Sequence, residues 1–162
     1  MKISSSILAG AVLLAASGSA FAQSCAAPLF LGSNGNVSGD TCAAANELGT
    51  LCIFGQSPSN DIVYSMTFVA GYTATTVALT NSTPAWNAAL VLVQATCNGN
   101  STCPRNADAG GPGANETLDV QGLTAGPYFL VVTSTTSDTT CGTYNVLVNG
   151  TVPVQLQSFD VS

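Results

Sequence analysis

The stretch Asp61-Ile62-Val63-Tyr64-Ser65-Met66-Thr67-Phe68 alternates with a period of two. Ile62, Tyr64, Met66 and Phe68 share one face, and Val63, Ser65 and Thr67 share the other. That is the pattern of a half-buried strand, not of a helix. Strand-like runs follow it at fairly regular spacing, and turn-rich sequence precedes it. A chain of short alternating runs buries its apolar faces by stacking sheets. The expected fold is therefore all-β, an antiparallel β-sandwich or jelly roll, with Asp61–Phe68 as its first central strand.

Taken in order, Ala27 to Asn36 reads as a short edge strand and a turn, and Thr41 to Leu48 as one or two helical turns too short to stand alone. Leu51 to Phe54 reads as a small strand. Ala74 to Thr80 alternates with Val77 and Leu79 inward. Ala88 to Gln94 is almost continuously apolar, as a strand covered on both faces would be. Arg105 to Asn115 is rich in Gly, Asn and Asp and reads as irregular. Further strands are expected over Glu116 to Val120, Tyr128 to Thr133, Thr143 to Val148 and Val154 to Phe159, giving eight or nine.

The first residues have the pattern of a cleaved leader. Lys2 is followed by the short apolar run Ile7 to Ala16 and by Ala20-Phe21-Ala22, a small-x-small cleavage site. The expected division is a signal peptide over 1–22, a β-sandwich domain over 23–151 and a C-terminal strand or tail over 152–162. The apolar run is too short to span a bilayer, and no later run is long enough.

Beyond residue 22 the only cation is Arg105, which stands against the eight Asp and Glu of the chain. One positive and eight negative side chains sum to −7. Such a surface repels phosphate backbones and anionic lipid, which excludes nucleic acid as a partner. Six cysteines behind a leader read as three disulfides of a secreted domain. Six allow fifteen pairings. Cys97–Cys103 closes a short turn-forming tip, Cys42–Cys52 closes another local loop, and Cys25–Cys141 is then left to tie the N-terminus to a late strand. No His is present, so neither a His-based triad nor a His metal ligand is available. With the cysteines oxidised there is no thiolate nucleophile.

Several segments, in this order, carry a family resemblance. They are Gly39-Asp40-Thr41-Cys42-Ala43-Ala44-Ala45, Asn60 to Met66, Trp86 to Val93 with its following cysteine, Leu123 to Val132 and Cys141 to Val146. Together they resemble the bacterial pre-peptidase C-terminal domain over about residues 40 to 149. The resemblance implies a β-sandwich acting as a non-catalytic accessory or binding module, sometimes with calcium. Asn87 stands where many relatives carry Asp.

The residues supply candidates of their own. Calcium takes carboxylate, amide and backbone oxygens. Asp108, Glu116 and Asp119 cluster in sequence around the Gly-rich loop, and Asp61 joins them if its strand end lies alongside. Trp86 offers a flat ring to a sugar, although a core position is the commoner fate of Trp in a sandwich. Tyr72, on a turn, is the better surface aromatic. Tyr64, Tyr128 and Tyr144 read as packing. The expected function is that of a secreted, non-catalytic module binding a surface, glycan or protein. The alternatives are an extracellular structural subunit that self-assembles by adding the strand Val154–Phe159 to a neighbour, and a small hydrolase using paired carboxylates.

Overall fold

The computed structural model describes residues 24–51, 55–56, 59–98, 101–134 and 140–152. The expected leader (1–22), Cys52 and the expected strand Val154–Phe159 lie outside the described residues, as does most of the loop after Ser134.

Eleven strands are described: β1 (Leu29–Phe30), β2 (Asn36–Asp40), β3 (Thr50–Leu51), β4 (Gly55–Gln56), β5 (Ile62–Phe68), β6 (Thr76–Asn81), β7 (Ala88–Gln94), β8 (Arg105–Ala107), β9 (Glu116–Asp119), β10 (Gly126–Ser134) and β11 (Thr143–Asn149). A five-stranded sheet runs β1-β5-β10-β7-β8 and a four-stranded sheet runs β2-β11-β6-β9. β3 and β4 form a separate two-stranded ribbon. All pairings are antiparallel except β1 with β5. The all-β sandwich expected from the period-two pattern is thus what the chain forms. The Thr41–Leu48 segment contributes only a 3-10 turn, Thr41–Ala43, whose N-cap Asp40 accepts from the Cys42 amide. Among the described residues no helix is long and apolar enough to cross a membrane.

The main core lies between the two sheets. Ile62, Tyr64, Met66 and Phe68 of β5 face Val77 and Leu79 of β6 and Tyr144, Val146 and Val148 of β11, as the alternation requires. The Tyr64 and Tyr144 hydroxyls meet across the core at 2.9 Å, so each buried phenol satisfies the other. Desolvation raises both pKa values above the usual tyrosine range.

The opposite face of the five-stranded sheet is covered as well. Val63, Val91, Val93 and Val131 form a second apolar cluster with Leu48 and Leu51, and Cys25, Cys97, Cys103 and Phe129 pack against it. This second layer explains why Ala88 to Val93 is apolar throughout: all six residues are buried. The outer face of the four-stranded sheet carries no such cover among the described residues. Its outward positions are mostly Asn, Ser and Thr.

Two strands depart from expectation. β2 and β8 are polar segments, Asn-Val-Ser-Gly-Asp and Arg-Asn-Ala, that the sequence pattern leaves in turn or irregular structure. Each is an edge strand held by its inner neighbour, β2 by β11 and β8 by β7. Backbone pairing to a formed sheet overrides their low β-propensity.

The three expected disulfide pairings are overturned. Cys42 bonds Cys141 rather than Cys52, and Cys25 bonds Cys97 rather than Cys141. Cys97 is therefore not paired with Cys103, although Cys103 is itself disulfide-bonded. The register gives the reason for Cys42. Asp40 pairs with Thr143 where β2 meets β11. Extending that ladder by two residues on each chain brings Cys42 opposite Cys141, with Cα atoms 4.9 Å apart. No free cysteine occurs among the described residues. Bridges of this kind form and persist in oxidising compartments.

Candidate functional site

The four carboxylates expected to hold calcium do not converge. Glu116 is 2% exposed. Its two oxygens accept from the amides of Ala109 (3.0 Å) and Gly110 (2.8 Å), so it closes the Gly-rich loop as an internal anchor. Asp108 lies close enough to feel the Glu116 charge, and burial together with that charge raises its pKa above the usual carboxylate range. Asp119 points to the other face of β9. Glu116 and Leu118 are buried while Thr117 and Asp119 are exposed. Asp61 sits elsewhere, under the second layer, where it accepts from the Leu48 amide at 2.8 Å. Among the described residues no three His, Cys, Asp or Glu side chains are grouped closely enough to hold a metal ion.

Trp86 is corrected from ligand platform to core. It is 0% exposed. Its ring lies 5.8 Å from that of Tyr144, and its Nε1 donates to the Ser134 hydroxyl. No sugar can reach it. The core position is the commoner fate of Trp in a sandwich, and it is the one realised here. The chain turns it inward: the Trp86 amide donates to Thr83 and its carbonyl accepts from Gly113 and from the Asn81 side chain.

Tyr72 is half-buried and forms one wall of a surface groove of about 370 Å³ at the loop end of the sandwich, shared with Thr73, Thr75, Gln121 and Gly122. The turn that carries it needs Gly71 at φ +80°, and the facing turn needs Gly122 at φ +69°, conformations that glycine adopts without cost. The Tyr72 ring packs on Phe68 with centroids 4.7 Å apart. Its hydroxyl donates to the Val120 carbonyl (2.7 Å) and accepts from the Leu123 amide (2.7 Å), which clamps one loop to the other.

The facing loop is held at nearly every backbone group. Val120 N–H donates to Thr75 O, the Gln121 amide donates to Asp119 Oδ1 at 2.9 Å, and Arg105 donates to the Gln121 carbonyl at 3.3 Å. Asp119 thus belongs to the site after all, as a loop anchor rather than a metal ligand. The other wall is equally tied. Thr73 and Ala74 amides donate to Thr151 O, and the Thr73 and Thr151 hydroxyls meet at 2.6 Å.

With the backbone satisfied internally, the exposed Gln121 side chain, the Thr73 and Thr75 side chains and the half-buried Tyr72 ring are what the groove presents outward. No charged side chain lines it. Sequence reasoning found Tyr72. It missed Gln121 and Thr73, whose only signal was their place in glycine-bearing turns. A second depression of about 600 Å³ adjoins the same loops at Val69, Ala70, Ala125 and Pro127.

Comparison with protein-family models, with curated proteins and with solved structures finds no match to this chain.

Proposed function

We propose that this protein is a secreted, non-catalytic binding module that takes an uncharged, hydroxyl-rich ligand, a short run of neutral glycan, in the groove beside Tyr72. The observation that carries this reading is the groove itself: one aromatic wall, neutral donors and acceptors, and a backbone locked in advance by Tyr72, Asp119 and Arg105. Sugar recognition needs a ring face against C–H groups and a few fixed hydrogen-bonding groups. Preorganisation lowers the entropy lost on binding. The leader-like start, the disulfides and the resemblance to pre-peptidase C-terminal domains agree with a module working outside the cytoplasm. A non-catalytic role is supported by the absence of His and by the use of Glu116 and Asp61 as backbone anchors.

The test is titration of the purified chain with a panel of uncharged oligosaccharides, followed by NMR. Resonances of Tyr72, Thr73 and Gln121 should shift together. Gln121→Ala removes an outward amide and no backbone contact, so it should weaken binding roughly three- to tenfold at unchanged melting temperature. A panel that moves none of these resonances, or Gln121→Ala binding like the parent, would sink the reading.

A further inference from the structure

The two sheets have four edges. β8 and β9 lie against one another on one side of the sandwich, which leaves β1 and β2 together on the other. β1, β8 and β9 are two, three and four residues long. β2 is the longest edge, with five residues. Val37 and Gly39 turn their backbone toward β11, as the flanking bonds Val148 N–H to Gly35 O and Thr41 N–H to Gly142 O require. Asn36, Ser38 and Asp40 therefore turn their N–H and C=O groups outward, and no partner for these groups is described.

Natural sheets protect such edges with Lys, Pro, bulges or covering loops. β2 carries neither Lys nor Pro, and its one charge, Asp40, sits at its end with one oxygen already accepting from the Cys42 amide. Its side chains are instead fixed in place: Asn145 Nδ2 donates to Asn36 Oδ1 and, at 3.3 Å, to Ser38 Oγ. The same side of the sandwich exposes Leu29 (46%) and Phe30 (53%) on β1.

We infer that β2 is a self-pairing edge, joining two copies of this chain about a two-fold axis at Ser38. Antiparallel pairing centred there exchanges the Ser38 N–H and C=O groups between copies. It sets each Asn36 opposite the partner's Asp40. The two Asp40 carboxylates are thereby kept from facing each other. Asn36 uses its oxygen for Asn145 and keeps its amide hydrogens to donate, while Asp40 spends one oxygen on the Cys42 amide and keeps the other to accept. The edge is complementary to itself in hydrogen bonding, and the register keeps its one charge, Asp40, opposite a neutral donor. The product is one eight-stranded sheet that continues across the axis, with Leu29 and Phe30 of both copies beside the seam. The contact is isologous and closes at two, unlike head-to-tail addition of a terminal strand. Five residues a side make it a weak, concentration-dependent dimer.

Sedimentation equilibrium from micromolar to millimolar chain is the test. The purified protein should pass from monomer to dimer within that range. Ser38→Lys and Ser38→Glu place like charges on the axis, and each should weaken association at least about tenfold. An equimolar mixture of the two should recover the dimer. Removal of residues 153–162 should leave it unchanged. Exchange of the Ser38 amide in the unaltered chain should slow as concentration rises, a readout that does not depend on any variant folding. A chain that stays monomeric to millimolar, charge variants that dimerise like the parent, a mixture that fails to associate, or a dimer lost with the tail would each overturn the inference.

Discussion

Asp61 shows how differently one carboxylate reads in sequence and in space. At the head of an alternating strand it looks like an exposed ligand. In the fold it is 3% exposed and holds the Leu48 amide, thirteen residues back. That partner could not be read from the chain, because it depends on the second layer folding over the sheet. Burial raises its pKa from 3.8 to about 6, the Leu48 bond opposes the rise, and the nearby Glu47 charge adds to it. The folded state therefore prefers the protonated acid. Its stabilising contribution is complete below the unfolded value and is lost as pH climbs through about 6. The gap corresponds to at most on the order of 3 kcal/mol. Asp61→Asn, which cannot ionise, is expected to be more stable than the parent at about pH 8 and not at about pH 4. Urea unfolding at both pH values checks this, and a difference that does not change with pH would refute it.

At the scale of elements, the strands that were legible are those with an apolar face. β5, β6, β7, β10 and β11 all follow the alternation or the double burial seen in the sequence. β2 and β8 were not legible because their stability comes from a neighbour's backbone. β9 carries a further lesson. The alternation that identifies it as a strand also separates Glu116 from Asp119, so proximity in sequence was misleading for a shared calcium site. The two acids accordingly do different work, one inside the Gly-rich loop and one at the groove. Glu116→Gln leaves one of the Ala109 and Gly110 amides poorly matched and should cost about 1–3 kcal/mol. Asp119→Ala should cost less than about 1 kcal/mol but loosen the groove. Thermal melts of the parent should coincide in calcium and in chelator, and a calcium-dependent rise in melting temperature would restore the metal site.

For the molecule as a whole, the disulfides fasten layers rather than loops. Cys42–Cys141 closes a separation of 99 residues and clamps the edge strand β2 to β11, while Cys25–Cys97 closes 72 and holds the N-terminal segment over the second cluster. Local pairing looked favourable in the sequence because β2 was hidden there, and with it the register that sets Cys42 opposite Cys141. Cys103 is bonded as well and packs against the cluster that contains Leu51. Peptide mapping of the unreduced chain should recover Cys42 joined to Cys141 and Cys25 joined to Cys97, and a free thiol at any of these four positions would refute it. Each bridge closes a long loop and should contribute ~2–4 kcal/mol by restricting the unfolded chain. Their loss should be unequal in kind. Replacing Cys42 and Cys141 together by Ser frees the end of β2, so it should weaken self-association as well as stability. Replacing Cys25 and Cys97 should lower the melting temperature and leave the dimer intact. Sedimentation and melting of the two double variants side by side separate the clamp on the edge from the clamp on the cover.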